Sequence, residues 1–167
     1  MFLPTRVGDL QLTNRMVMAP LTRSRSGRAG VQTLMHAQYY EQRASAGLVI
    51  SEATQISQQG QGYAFTPGMF TQEQVAGWEK VTKAVHKKGG RIVAQLWHVG
   101  RISHPDLQQH HQLPVAPSSI KPAGKAFTES GFKDFVTPRA LDIQEIPGIV
   151  EQYAHAALCA KHRQGLT

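Results

Sequence analysis

Gly47-Leu-Val-Ile-Ser-Glu-Ala-Thr-Gln55 is an apolar run that passes into polar residues, as a buried strand passes into a loop. The same shape occurs in Arg15-Met-Val-Met-Ala-Pro-Leu-Thr-Arg23 and in Arg91-Ile-Val-Ala-Gln-Leu-Trp-His-Val-Gly-Arg101. Helix-like stretches separate and follow them, giving the order strand, helix, strand, helix, strand, helix. Repeated βα units imply a parallel sheet, and in such sheets chemistry gathers at the carboxyl ends of the strands. Here those ends carry Thr22, Ala53, Gln95 and Trp97.

Outward from these strands, residues 1–14 predict a hairpin turning at Gly8-Asp9, with Leu10 and Leu12 on one face. Residues 15–99 hold the first βα units and the third strand. A helix is expected over about 32–45, with Leu34, Ala37, Tyr40 and Ala44 near one face. The second helix is the best signalled. Thr71 and Gln74 form a capping box, Val75, Trp78, Val81 and Val85 an apolar stripe, and Gly89-Gly90 the stop. Residues 100–142 contain Pro105, Pro114, Pro117 and Pro122 and predict an irregular lid over the strand ends. Residues 143–165 predict a third helix that buries Ile149, Val150, Tyr153 and Ala157.

With 167 residues, 41% apolar and 17% charged, the composition is that of a globular domain. No apolar run approaches the roughly 20 residues that span a bilayer, and Met1-Phe-Leu-Pro-Thr-Arg6 lacks the apolar stretch expected of a secretory signal. Cys159 is the one cysteine, which fits core filler and a reducing cytoplasm. The net charge of +7 comes from scattered Lys and Arg, without zinc-finger spacing or an aromatic ribonucleoprotein box, so specific nucleic-acid recognition is not expected. A closed (β/α)8 barrel needs about 250 residues. The expected fold is therefore α/β, a partial (β/α)8 barrel of about three βα units with a hairpin and a lid.

The strand-end residues have a common chemistry. Thr22 offers a hydroxyl, Ala53 a small side chain beside backbone amides, and Gln95 a carboxamide that both donates and accepts. Such a set suits the alternating carbonyl and N–H edge of a pyrimidine or isoalloxazine ring, with Tyr63 and Trp97 as flat walls. On spacing alone each has an ordinary reading. Thr22 could cap a turn, Gln95 could bond backbone, and Trp97 could be lid packing. His98 could be functional or a hydrogen-bonded structural histidine. His104, His110 and His111 lack a carboxylate or cysteine cluster at metal-ligand spacing. Arg23, Arg25 and Arg28 fit either a solvated basic loop or a guide for cofactor phosphates.

The segments Leu3-Pro-Thr-Arg-Val-Gly8, Leu12-Thr-Asn-Arg-Met-Val-Met-Ala-Pro-Leu-Thr-Arg23, Gln38-Tyr-Tyr40, Ser51-Glu-Ala-Thr54, Gln95-Leu-Trp-His-Val-Gly-Arg101 and Pro138-Arg-Ala-Leu141 resemble the Old Yellow Enzyme family, its N-ethylmaleimide reductase branch in particular. The resemblance implies an FMN-dependent ene-reductase on a (β/α)8 barrel. Ala19, Pro20, Leu21 and Thr22 would pass along the flavin, with Thr22 near its O4 and N5. Ala53 would lie at the ring edge, Gln95 would bond the pyrimidine portion, and Tyr63 and Trp97 would line the substrate side. NADPH or NADH would reduce the flavin, which would pass hydride to the β-carbon of an activated alkene such as an enone or maleimide.

The family's substrate-gripping histidine pair (or His/Asn pair), its proton-donating tyrosine and its FMN-phosphate site have no counterpart in residues 1–167. Ala29-Gly-Val-Gln32 also stands where relatives carry a longer loop. The expectation is thus an oxidoreductase completed by a complementary carboxyl-terminal barrel segment or self-associating through its sheet edge. The alternative is a truncated paralogue without catalysis, with a basic nucleic-acid accessory protein a distant third.

Overall fold

The computed structural model describes the backbone of residues 1–164 and the side chains of residues 1–161. Strands β1 (Thr5–Val7) and β2 (Leu10–Leu12) form the antiparallel hairpin around Gly8-Asp9, where Gly8 takes a φ of +56° that a side chain would resist. Strands β3 (Val17–Met18), β4 (Leu48–Gln55) and β5 (Ile92–Trp97) form a parallel sheet in chain order. Helices α1 (Leu34–Glu41), α2 (Gln72–Lys87) and α3 (Ile146–Gln164) complete an α/β arrangement.

The core lies between the sheet and its helices. Val49 and Ile92 meet Tyr40 from α1 and Val75, Trp78, Val81 and Val85 from α2. Full burial of such side chains contributes roughly 1.5–3 kcal/mol each relative to exposure. The Thr71 hydroxyl accepts the Gln74 N–H at 3.3 Å, and Gln74 Oε1 in return accepts the N–H groups of Thr71 and Phe70. That closes the capping box and fixes where α2 starts.

Three expectations need correction. Helix α1 is shorter than 32–45, and Leu34 is exposed. The inward position on that turn goes to His36, whose Nδ1 accepts the Thr33 N–H at 3.0 Å and draws the ring against the helix start. Helix α3 packs through Ile149, Ala156 and Ala160, leaving Val150, Tyr153 and Ala157 exposed. Both stripes are apolar, and the alanines allow the closer approach. Residues 100–142 are also not irregular throughout. Strands β6 (Val115–Ala116) and β9 (Arg139–Ala140) pair in parallel, and β7 (Lys125–Thr128) and β8 (Gly131–Asp134) form a hairpin.

That hairpin rests on the segment following β4. The Ala64 N–H donates to the Phe127 carbonyl at 3.0 Å, and Arg28 pairs with Glu129 at 2.7 Å. Lys133 also binds Asp106. Among the described residues no helix is long and apolar enough to cross a membrane.

Candidate active site at the strand ends

Alternation along β5 divides its residues between two faces. Ile92, Ala94 and Leu96 belong to the helix-covered core, so Val93, Gln95 and Trp97 turn to the other face. Gln95 pairs in register with Ala53 of β4, and Gln55 pairs with Trp97. Ala53 is buried and Gln95 is exposed. Thr22 follows the end of β3, on the opposite side of β4 from Gln95 in the strand order. Ala19, Leu21 and Thr22 are exposed and Pro20 is half-buried. Neither the Thr22 hydroxyl nor the Gln95 carboxamide makes a hydrogen bond among the described residues. The turn-capping and backbone-bonding readings of these two side chains are therefore not what the structure shows.

The Tyr63 and Trp97 rings stack, with centroids 5.9 Å apart and planes inclined by 21°. Trp97 Nε1 is a buried donor without a partner, the kind of group that a bound acceptor would satisfy. Tyr63 is held by its backbone, since its carbonyl accepts from Gln61 Nε2 at 3.0 Å and from the Thr66 hydroxyl at 2.9 Å. Phe65, two residues on, has a φ of +63° and its carbonyl accepts the Ser26 N–H at 2.8 Å. The strained turn thus ties the loop after β3 to the loop after β4.

Beneath these residues lies a polar cluster that the sequence pattern did not single out. Glu52 is 1% exposed. Its Oε2 accepts the Arg23 N–H at 3.2 Å, and its Oε1 accepts Gln32 Nε2 at 3.3 Å and the Tyr40 hydroxyl at 3.2 Å. Burial pushes the Glu52 carboxyl above the ordinary range, and these donors oppose the rise. Tyr40 is raised by the same burial and by the neighbouring Glu52. The signal that could have found this cluster is a carboxylate inside an apolar strand run, which must have partners.

Arg23 is not a solvated loop residue. Its guanidinium lies over the Tyr39 ring at 3.9 Å, and that of Arg43 lies 3.8 Å from the same centroid. His98 is structural by its bonds, with Nδ1 accepting the Gly100 N–H at 3.1 Å and Nε2 facing Gln59 Oε1 at 3.4 Å. No group of three metal-ligating side chains occurs among the described residues, and Asp106 near His104 and His111 is engaged by Lys133.

The chain is 52% identical to morphinone reductase in complex with tetrahydroNAD, with a TM-score of 0.93 over 97% of this chain and 46% of that one. It is 46% identical, with a TM-score of 0.92, to an old yellow enzyme homologue from Zymomonas mobilis, over 96% of this chain and 44% of that one. Among curated proteins, flavin oxidoreductase hxnT of Emericella nidulans is 44% identical over 94% of this chain and 41% of its own length. For 12-oxophytodienoate reductase 2 of Arabidopsis thaliana the values are 42%, 92% and 41%. The chain thus spans about two fifths of the length of the curated relatives it matches. A family model matches residues 1–165, and the chain belongs to the NADH:flavin oxidoreductase / NADH oxidase family.

Proposed function

We propose that the strand ends form the ring-binding wall of an FMN-dependent NAD(P)H:alkene oxidoreductase, and that the three-stranded sheet is the first part of a (β/α)8 barrel. The observation that carries this reading is the row Thr22, Ala53, Gln95 on three neighbouring strand ends, in which both polar side chains keep their hydrogen-bonding capacity unspent. A hydroxyl on one side and a carboxamide on the other fit the heteroatoms at the edge of an isoalloxazine ring. When bound, FMN supplies the hydride chemistry between a reduced nicotinamide and an activated alkene.

The chain's own residues bind and orient. Ala19, Pro20, Leu21 and Thr22 would hold one side of the ring, with the Thr22 hydroxyl donating near its O4 and N5. Ala53 would keep the ring edge free of side-chain bulk, and Gln95 would bond the pyrimidine portion. Tyr63 and Trp97 form one wall on the substrate side, and the Trp97 N–H is available to an acceptor. Residues 100–142 serve as a lid. The substrate would be a small activated alkene, and the barrel would be completed by a complementary carboxyl-terminal segment. A reducing compartment such as the cytoplasm suits the free thiol of Cys159.

The test is a titration of the purified 167-residue chain with FMN, followed by flavin absorbance and fluorescence. Saturable quenching with a shifted band, weakened in Gln95→Ala and Thr22→Ala, is the expected result. Wild-type-like binding in both variants would place the flavin elsewhere.

A further inference from the structure

Between Ile50, paired with Val93, and Ala53, paired with Gln95, β4 contains one residue more than β5. This is a β-bulge, a device that re-aims a side chain. The two extra-register residues are Ser51 and Glu52, and their polar groups are satisfied outside the ladder. The Glu52 N–H donates to the Tyr40 hydroxyl at 2.8 Å. The Glu52 carbonyl accepts the hydroxyls of Ser51 at 2.9 Å and Thr54 at 2.8 Å. The Gln95 N–H donates to Ser51 Oγ at 3.0 Å.

The bulge therefore reaches each of the three ring-facing positions through a different bond. It holds the residue after Thr22 through the Arg23 N–H on the Glu52 carboxylate. It is covalently continuous with Ala53. It holds Gln95 by the backbone through Ser51. A buried carboxylate is weak evidence for stability, since a well-packed apolar residue often serves better. What Glu52 adds is one carboxylate that fixes the Arg23 backbone, Gln32 and Tyr40 relative to β4. We infer that Ser51 and Glu52 are positioning residues that set Thr22, Ala53 and Gln95 in register with one another, an inference that rests on the flavin-site reading above.

The experiment measures amide hydrogen exchange of the 15N-labelled chain, which needs no cofactor. In Glu52→Gln the carboxamide can face only one side with an oxygen. Arg23 N–H exchange is expected to accelerate about tenfold or more, with Val81 and Val85 of α2 unchanged. In Ser51→Ala the same acceleration is expected at Gln95. Unchanged exchange at those amides, or equal acceleration at Val81 and Val85, overturns the inference. If Glu52→Gln does not fold, Ser51→Ala decides alone.

With FMN bound, both variants should shift the flavin midpoint potential away from the wild-type value, measured well below each variant's Tm. An unchanged potential would reduce Ser51 and Glu52 to a purely structural role and overturn the inference. Failure of the wild type itself to bind FMN counts against the flavin reading, and amide exchange alone then decides whether the bulge holds Arg23 and Gln95.

Discussion

Tyr63 lies in the loop after β4 and Trp97 is the last residue of β5, yet their rings stack at 5.9 Å. The backbone of Tyr63 is fixed independently by Gln61 and Thr66. Tyr63→Ala therefore removes the ring and leaves the loop. The expected outcome is a red shift in Trp97 emission and a stability loss of about 0.5–1.5 kcal/mol beyond the lost area, read from urea unfolding. Trp78, with 0% exposure, serves as the unchanged background signal. An unshifted spectrum would mean that the two rings do not depend on each other.

Gly77 lies in the middle of α2, where alanine normally stabilises a helix by up to ~1 kcal/mol. Here a Cβ would stand 2.7 Å from the Gln32 carbonyl oxygen and 2.8 Å from its nitrogen. Both are backbone atoms, and Gln32 is itself bonded to Glu52. Gly77→Ala is expected to destabilise by about 1–3 kcal/mol, because overpacking outweighs propensity. A neutral or stabilising result in a denaturant titration would show that the Gln32 segment yields freely.

What the sequence made legible was local. The hairpin, the three strands and α2 are signalled by alternation, apolar runs and a capping box within a few residues. Glu52 shows the other case, since its partners Arg23, Gln32 and Tyr40 are 29, 20 and 12 residues away. No short-range pattern encodes that convergence. Helix α3 offered two apolar stripes, and only packing against small residues chose between them. For the candidate site, residue types were readable, but the unspent hydrogen bonds of Thr22 and Gln95 required coordinates.

His36 and His98 give the chain an acid-side pH dependence. Burial lowers both below the ordinary value of 6.5, with Arg23 and Arg25 adding to the effect at His36. In each ring Nδ1 accepts a backbone N–H, a bond that protonation there would break. As pH falls below 6.5, the unfolded chain takes up protons that the folded chain refuses, so stability declines. Glu52 has the opposite sign: its stabilising contribution is present below 4.5 and is lost as pH rises through its raised folded value. The difference between wild type and His36→Gln cancels that background. His36→Gln should lose less stability than wild type between about pH 7.5 and about pH 5.5 in paired denaturant titrations. Parallel curves would show that His36 titrates normally.

The outer edges of the sheet make the last prediction. Among the described residues, β3 and β5 each pair on one side only. An open groove of about 610 Å³ lies beside β3, lined in part by Phe2, Met16, Val17 and Met18. Another of about 560 Å³ lies beside β5, lined in part by Leu10, Ala94, Leu96 and Ala157. Val17 is 51% exposed, although it belongs to an apolar strand. Unpaired backbone flanked by apolar grooves favours pairing with another strand edge. The 167-residue chain should therefore associate with rising concentration in analytical ultracentrifugation, and Val17→Lys should shift it toward monomer by placing a charge on the edge. A monomer that persists at all concentrations would show that the edges are protected by means other than pairing.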